Sequence, residues 1–411
     1  MAIVKPFCAI RPAPDKAAEV AALPYDVYNR KEACDEVKNK PLSFLNIDRP
    51  ETQFDDSVDI YSDCVYEKAK ELLEKQIQDK IFIQDKEPSY YVYELTMNNR
   101  TQTGIVACSS IDDYDNQIIK KHENTRAEKE IDRIRHVDTC NAQTGPIFLA
   151  YRSNNEINSV ISKVKSETPQ YDFITDDEIR HTVWQISSTN TISQLENLFN
   201  KIPNTYIADG HHRAASAVSV GHKRRKENEG NTYKEAYNYF LSVLFPDDQL
   251  LIMPYNRVVK DLNGYTADQL IQKISTSFFV EGPLNHPVSP EAKGRFGMFL
   301  DGKWYKLIAR PELVNSDPVK GLDVSILQDT LLGPILGIGD PRTDHRIDFI
   351  GGIRGLKELE RQVNEGMEVA FSMYPTSIAE LFAVADANLL MPPKSTWFEP
   401  KLRSGLFIHK I

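Results

Sequence analysis

The chain has 411 residues, 41% of them hydrophobic and 26% charged, a balance that excludes disordered and fibrous classes. That length allows about two or three domains. The 49 basic and 59 acidic residues leave a net charge of −10, which argues against nonspecific nucleic-acid binding by the whole molecule and leaves room for a local basic pocket. No apolar run approaches the ~20 residues that span a bilayer, and the opening MAIVKPFCAIRPAPDK has no apolar core after a basic start. A cytoplasmic protein with no membrane partner is therefore expected. The five cysteines (Cys8, Cys34, Cys64, Cys108, Cys140) are widely spaced and form no CxxC pair, so they read as reduced packing residues rather than disulfide or zinc ligands.

Along the chain, helical and strand patterns alternate, which predicts a mixed α/β protein. SDCVYEKAKELLEKQIQDK (62–80) places Val65, Ala69, Leu72, Leu73 and Ile77 on one helical side. SYYVYELTM and QTGIVACSSI are strand-like and separated by NNRT, which reads as a hairpin. EINSVISKVKSET predicts an amphipathic helix and TVWQIS a short strand. AYNYFLSVLFPDDQLLIMPYNRVV reads as strand, acidic turn, strand, and TADQLIQKISTSF as a helix capped by Thr266. In RFGMFLDGKWYKLIA, Asp301-Gly302 between alternating apolar runs predicts a second hairpin. RGLKELERQVNEG reads as a helix closed by Gly366, EVAFSMYP as a strand and TSIAELFAVADAN as a helix. The turn-rich DLNGYTAD sets an expected boundary near 262, giving regions 1–261 and 262–411, with the tail able to fold back onto the first.

YIADGHHRAASA (206–217) crowds two histidines and an arginine where a strand ends and a helix begins. A helix start carries unpaired N–H groups and partial positive charge, and so attracts anions. Gly210 permits a tight turn, and the small residues after Arg213 let the helix approach its neighbours closely. Arg213 suits phosphate oxygens; His211 and His212 donate hydrogen bonds or exchange protons near neutral pH. Asp209 suits a magnesium ion or the fixing of a histidine tautomer. A solvated helix cap explains the same letters. Zinc is disfavoured, because neighbours on a helix point about 100° apart, which keeps His211 and His212 from chelating one metal.

The motif resembles the GHHR-type motif of the ParB/sulfiredoxin-like superfamily, and more closely a branch of uncharacterised-domain proteins that includes pyrophosphate-dependent L-serine kinases. The resemblance is carried in order by LPYDVYNR, KKHENTR, YIADGHHRAASA, PYNRVVKDL, LDVSILQD and PPKSTWFEPKLRSGL. It implies a ParB/sulfiredoxin-like core with large insertions and a second α/β C-terminal lobe. It further implies transfer of a phosphoryl group from a phosphate donor to the hydroxyl of free L-serine, with Mg2+, giving O-phospho-L-serine. The donor stays open among pyrophosphate, ATP and ADP. The chain has no P-loop and no protein-kinase signatures, and GPILGIGDP does not match GxGxxG, which shifts weight toward the compact donor, pyrophosphate.

Phosphoryl transfer requires charge neutralisation, metal ligands and a group to orient the hydroxyl. IIKKHENTRAEKEIDRIRH (118–136) supplies Glu123 as a general base and Lys121 and Arg126 as a phosphate clamp; a charged, solvated helix is the alternative. The resemblance favours catalytic roles for His122 and Glu123. By analogy with ParB-like domains, Asp26 in LPYDVYNR stands opposite the motif as a rival base or metal ligand, against an ordinary turn role. Asn141 and Thr144 precede an apolar strand and suit a substrate cleft, or a turn. Asn256 and Arg257 interrupt an apolar run as pocket or edge residues. Lys394, Ser395 and Thr396 belong, with Lys401 and Arg403, to a basic, hydroxyl-rich tail that either binds substrate or plugs the C-terminus. Two other readings compete with the kinase. A ParB-like nucleotide-binding protein or nucleotidase would bring a basic two-helix DNA reader that the acidic chain lacks, and a sulfiredoxin-type reductase would need a cysteine where Gly210 stands.

Overall fold

Asn98 and Asn99 both adopt positive φ (51° and 62°) between the antiparallel strands Tyr90–Met97 and Arg100–Ser110. Positive φ at both central residues is the type I′ geometry, whose twist matches that of the strands it joins. Asp301 and Gly302 (49° and 69°) do the same between Arg295–Leu300 and Lys303–Ala309. Both expected hairpins are present. The computed structural model describes residues 1–125, 127–230 and 232–411, and the chain is mixed α/β. It divides into two units, residues 1–250 with 400–411, and residues 251–399.

The first unit is built on a mixed sheet. Its strand order is Ile119–Lys120, Thr205–Asp209, Ile147–Tyr151, Tyr239–Pro246, Arg100–Ser110, Tyr90–Met97, Arg180–Ile186 and Tyr171–Ile174, with Val4–Lys5 added to Arg100–Ser110. Two neighbouring pairs, Thr205–Asp209 with Ile119–Lys120 and Tyr239–Pro246 with Ile147–Tyr151, are parallel. The helix Asn155–Val164 buries Ile157, Val160, Ile161 and Val164, the one-sided stripe its sequence predicts, in a core shared with Tyr151, Trp184, Phe199 and Phe240. The helix Asp63–Gln78 likewise buries Val65, Ala69 and Leu73. Among the described residues no helix is long and apolar enough to cross a membrane.

The second unit holds an antiparallel sheet in the order Phe278–Leu284, Lys303–Ala309, Arg295–Leu300, Val369–Ser372, Tyr255–Val259, Ile347–Gly351. Thr266 caps Ala267–Ile274 through a reciprocal capping box with Gln269, as its sequence predicts. The chain leaves the first unit at residue 250, ahead of the expected boundary at 261/262. The reason is strand pairing: Tyr255–Val259 lies between Ile347–Gly351 and Val369–Ser372, and Leu251–Met253 pairs with Trp397–Glu399. The two strands flanking the acidic turn therefore belong to different units. The tail from Pro400 returns to the first unit, where Ser404 pairs with Ala22, Ile408 with Ile10 and His409–Lys410 with Ala142–Gln143.

Phe240 is fully buried in the first unit's core. Phe240→Ala is expected to cost that unit about 3–5 kcal/mol. A urea titration followed by near-UV circular dichroism checks this; an unchanged midpoint would contradict the packing described.

Candidate active site

The strand Thr205–Asp209 slips register against Ile147–Tyr151 between Ile207 and Asp209. Such an irregularity re-aims the side chain that follows it. Gly210 then turns the chain at φ 93°, and the 17-residue helix His211–Glu227 begins. A Cβ at Gly210 would lie 3.0 Å from Arg213 Nε, so glycine serves both the left-handed backbone and the close approach of the guanidinium. Gly210 stands at the N-cap and offers no side-chain cap, and no acid lies in the first turn, while Arg224, Arg225 and Lys226 occupy the last. The positive end of the helix dipole lies at this turn, a setting that favours anions. Ala214, Ala215, Ser216 and Ala217 are buried, and Ser216 Oγ donates to the Glu130 carbonyl at 3.2 Å, seating the helix on Ala127–Cys140.

Two cations converge on Asp209. Lys401 Nζ stands 3.2 Å and Arg213 Nη2 3.6 Å from its Oδ2, and Gly210 N–H donates to Oδ1 at 2.9 Å. Burial works against the Asp209 charge, but Lys401 and Arg213 outweigh it and hold the carboxyl far below its ordinary range. Arg213 donates through Nη1 to the Pro146 carbonyl at 2.5 Å, while its buried Nε has no hydrogen-bond partner among the described residues. Burial opposes its charge as well; Asp209, then Asp26, Tyr25 and Asp48, more than offset that. Lys401 and Arg213 thus gather around Asp209 at the start of the helix, with Asp26 and Asp48 adding negative charge near Arg213.

His122 and His211 meet edge to face, ring centroids 4.5 Å apart. The His122 backbone N–H points to His211 Nε2 at 3.5 Å, and His211 Nδ1 lies 3.9 Å from Glu123 Oε2. Burial lowers His122 to about 4, partly countered by its hydrogen bond with the Ile207 backbone and by Asp209. Burial, then His122, lowers His211 well below its ordinary value. Both rings are neutral at pH 7. His212 is half-buried on the next helical position. Glu123 (side chain 39% exposed) and the exposed Asp26 present carboxylates to solvent. Asp26 lies in the short turn Tyr25–Val27, and its charge reaches Arg213. Exposed Lys121 sits over the Tyr114 ring at 5.5 Å, and its charge also reaches His211. Arg126 lies outside the described residues.

The remaining expected residues have other partners. Thr144 is buried, donates to Asp48 Oδ1 at 2.9 Å and helps line a cavity of about 30 Å³ beside Arg213. Asn141 takes a left-handed conformation (φ 49°) after the helix Ala127–Cys140, and its carbonyl accepts the Ile411 N–H at 3.1 Å. In the second unit, Asn256 accepts the Met373 N–H at 3.0 Å, deep in the sheet. Arg257 donates to the Lys394 carbonyl at 3.1 Å and to the Tyr255 carbonyl, and burial lowers it to about 10. Ser395 Oγ donates to the Pro392 carbonyl at 2.6 Å, and Thr396 follows it, half-buried. Asn256–Arg257 and Lys394–Ser395, read as separate segments, are thus neighbours in one packed region. Lys401 is what the sequence reading missed as a partner of the motif: it lies 192 positions from Asp209, and only its place in a basic tail marks it.

Residues 4–325 match the family described as "Protein of unknown function (DUF1015)". The chain belongs to this family. Lys401 lies beyond the stretch that defines this DUF1015 chain as a member. No curated protein matches it. Among solved structures it is similar to a free serine kinase in complex with AMP (14% identity, TM-score 0.35, covering 74% of this chain and 91% of that one). It is also similar to SbnI with a C-terminal truncation from Staphylococcus aureus (12%, 0.39, 74% and 86%) and to a conserved hypothetical protein from Pyrococcus furiosus (12%, 0.33, 74% and 94%). At TM-scores below 0.4, function rests on the site's own chemistry.

Among the described residues no group of three histidine, cysteine, aspartate or glutamate side chains is placed to hold a metal. Magnesium commonly needs only one or two carboxylates when phosphates supply the rest. Asp209 already faces two cations; Glu123 is the better-exposed carboxylate beside the motif. The donor set therefore fits a magnesium ion carried in on phosphate rather than a preformed cage.

Neutral burial of His122 makes stability depend on pH. Its folded value of about 4 lies below the unfolded value, so its contribution is present above about 6.5 and is lost as pH falls through about 4. His181 (lowered to about 3) and His409 (to about 4), both by burial first, act in the same direction. Urea midpoints are expected to fall between pH 7 and pH 4.5; a flat profile over that window would contradict neutral burial.

Proposed function

We propose that this DUF1015 chain is a small-molecule kinase that transfers a phosphoryl group from pyrophosphate to the hydroxyl of free L-serine. The observation that carries the phosphate half is the helix start at Gly210–His211, which has no acid in its first turn and where Arg213 and Lys401 gather around Asp209. The acceptor half rests on the order and content of the six segments that resemble the L-serine kinase branch. The absence of adenine-nucleotide signatures from the sequence supports the compact donor.

In this reading the donor's phosphates lie against the first-turn N–H groups, held by Arg213 and Lys401. Asp26, the exposed carboxylate whose charge reaches Arg213, takes the serine hydroxyl proton as the oxygen attacks the near phosphorus. The new O–P bond forms as the bridging P–O bond breaks, and inorganic phosphate leaves opposite the attack. Neutral His122 and His211 position the donor by hydrogen bonding rather than by charge, and half-buried His212 faces the transferred group. Glu123, together with the donor's phosphates, would hold a magnesium ion, which would supply neutralisation of phosphate charge. The five free cysteines are consistent with a reducing compartment such as the cytoplasm.

The direct test incubates the protein with L-serine and magnesium, and separately with pyrophosphate, ATP and ADP, and follows O-phospho-L-serine by mass spectrometry. Product with pyrophosphate is expected; product with a nucleotide alone would reassign the donor, and none with any donor would overturn the kinase. His212→Ala and Arg213→Gln are each expected to lower kcat/KM by about 100-fold or more with the fold intact by circular dichroism. Near-normal turnover in both would remove the motif from the site. Asp26→Asn is expected to lower kcat by about 100-fold with little change in donor KM. Glu123→Gln should instead raise the magnesium requirement; the reverse pattern would exchange the two roles.

A further inference from the structure

A cavity of about 580 Å³ in the first unit is lined by none of the motif residues. Its walls come from residues 18–28, from 36–45 and from the end of the edge strand Tyr171–Ile174 with the turn after it, and Arg403 of the returning tail lines it too. The size falls within the range of about 300–1,000 Å³ found for small-molecule sites.

The chemistry is that of a built pocket. Arg403 has a side chain only 4% exposed. Its Nε stands 3.3 Å from His181 Nε2, and its Nη2 reaches Thr175 Oγ1 at 3.2 Å and also pairs with Asp177. Its Nη1 makes no hydrogen bond with any described residue. Behind it, His181 is hydrogen-bonded to Tyr93 at 2.8 Å and stacked between Tyr93 and Phe173. The guanidinium is therefore fixed in place by a buried polar chain that the phosphotransfer site does not use. Its Nη1 is not among the buried atoms that lack a partner, so it opens to the water of the cavity, which a ligand oxygen can replace. Asp177, 41% exposed, accepts from Thr175 Oγ1 at 2.6 Å and is kept ionised by Arg403 against its burial. Leu23, Leu42, Leu45 and Ile174 line the same cavity.

An arginine beside a carboxylate is the complement of the adjacent carboxylate and ammonium of an α-amino acid, and the aliphatic wall is the complement of an apolar side chain. Lys40, the other cation here, is already bridged to Glu36 at 2.8 Å and Asp176 at 3.2 Å. We propose that this cavity is a second small-molecule site, taking a free α-amino acid with an apolar side chain. Its carboxylate meets Arg403, its ammonium meets Asp177, and its side chain lies among Leu42, Leu45 and Ile174. This proposal is independent of the phosphotransfer reading.

The test is calorimetric titration of the full chain with L-leucine, with 4-methylpentanoate and isoamylamine as probes lacking the ammonium or the carboxylate. L-Leucine is expected to bind, and each truncated probe to bind about tenfold more weakly or worse. Leu42→Trp, which fills the cavity, and Arg403→Gln are each expected to weaken L-leucine about tenfold or more, and His212→Ala to leave it unchanged. If Arg403→Gln does not fold, Leu42→Trp decides. No L-leucine binding, binding undiminished in Leu42→Trp, equal binding of 4-methylpentanoate, or tighter binding of L-serine than of L-leucine would each overturn the proposal. None of these outcomes bears on whether the chain makes phosphoserine.

Discussion

The arrangement at the start of the motif helix depends on one electrostatic constraint: Asp209 is partly withdrawn from water and must be answered by positive charge. Lys401 and Arg213 supply it, from the C-terminal tail and from one turn along the helix. Desolvation alone would push this carboxyl up, and the two cations reverse the sign. The positive end of the motif helix lies at the same place, with no acid in its first turn. Gly210 and the register slip before it are the backbone conditions for this geometry, since a Cβ at 210 would press on the Arg213 guanidinium.

The histidines follow from the same burial. Burial leaves neither imidazole anything to gain from a second proton, and His211 is lowered further by His122 and Lys121. They are neutral donors and acceptors in a site whose charge is carried elsewhere. That division suits phosphate handling better than metal chelation, where imidazoles converge on one ion. The tail serves two places at once: Lys401 reaches Asp209, and Arg403 stands on the His181–Tyr93 chain beneath the cavity.

Local elements were legible because each rests on neighbours in sequence. The 3.6-residue stripe of 155–164, the Thr266 box and the paired positive-φ turns at 98–99 and 301–302 need no distant partner. The unit boundary was not legible, because PYNRVV reads as a strand in either direction; only its place between Ile347–Gly351 and Val369–Ser372 assigns it to the second unit. Polar residues in strand-like runs were ambiguous for a related reason. Asn256 and Thr144 have the composition of pocket residues, yet one satisfies a buried backbone N–H and the other supports Asp48. Burial obliges such groups to find partners, and the letters alone do not distinguish a ligand's hydrogen bond from the protein's own.

What the sequence by itself determined was the motif, its strand-to-helix setting, the tight turn at Gly210 and the place of a helix start. All of these are short-range properties of backbone sterics and unpaired N–H groups. Tertiary structure alone decided that Lys401 would answer Asp209, that His122 would meet His211, and that Arg257 would hold the Lys394 backbone. Each of those joins residues whose separation in sequence is bridged only by strand order and the return of the tail. The energies that select them, desolvation against pairing, exist only once the chain has closed around them.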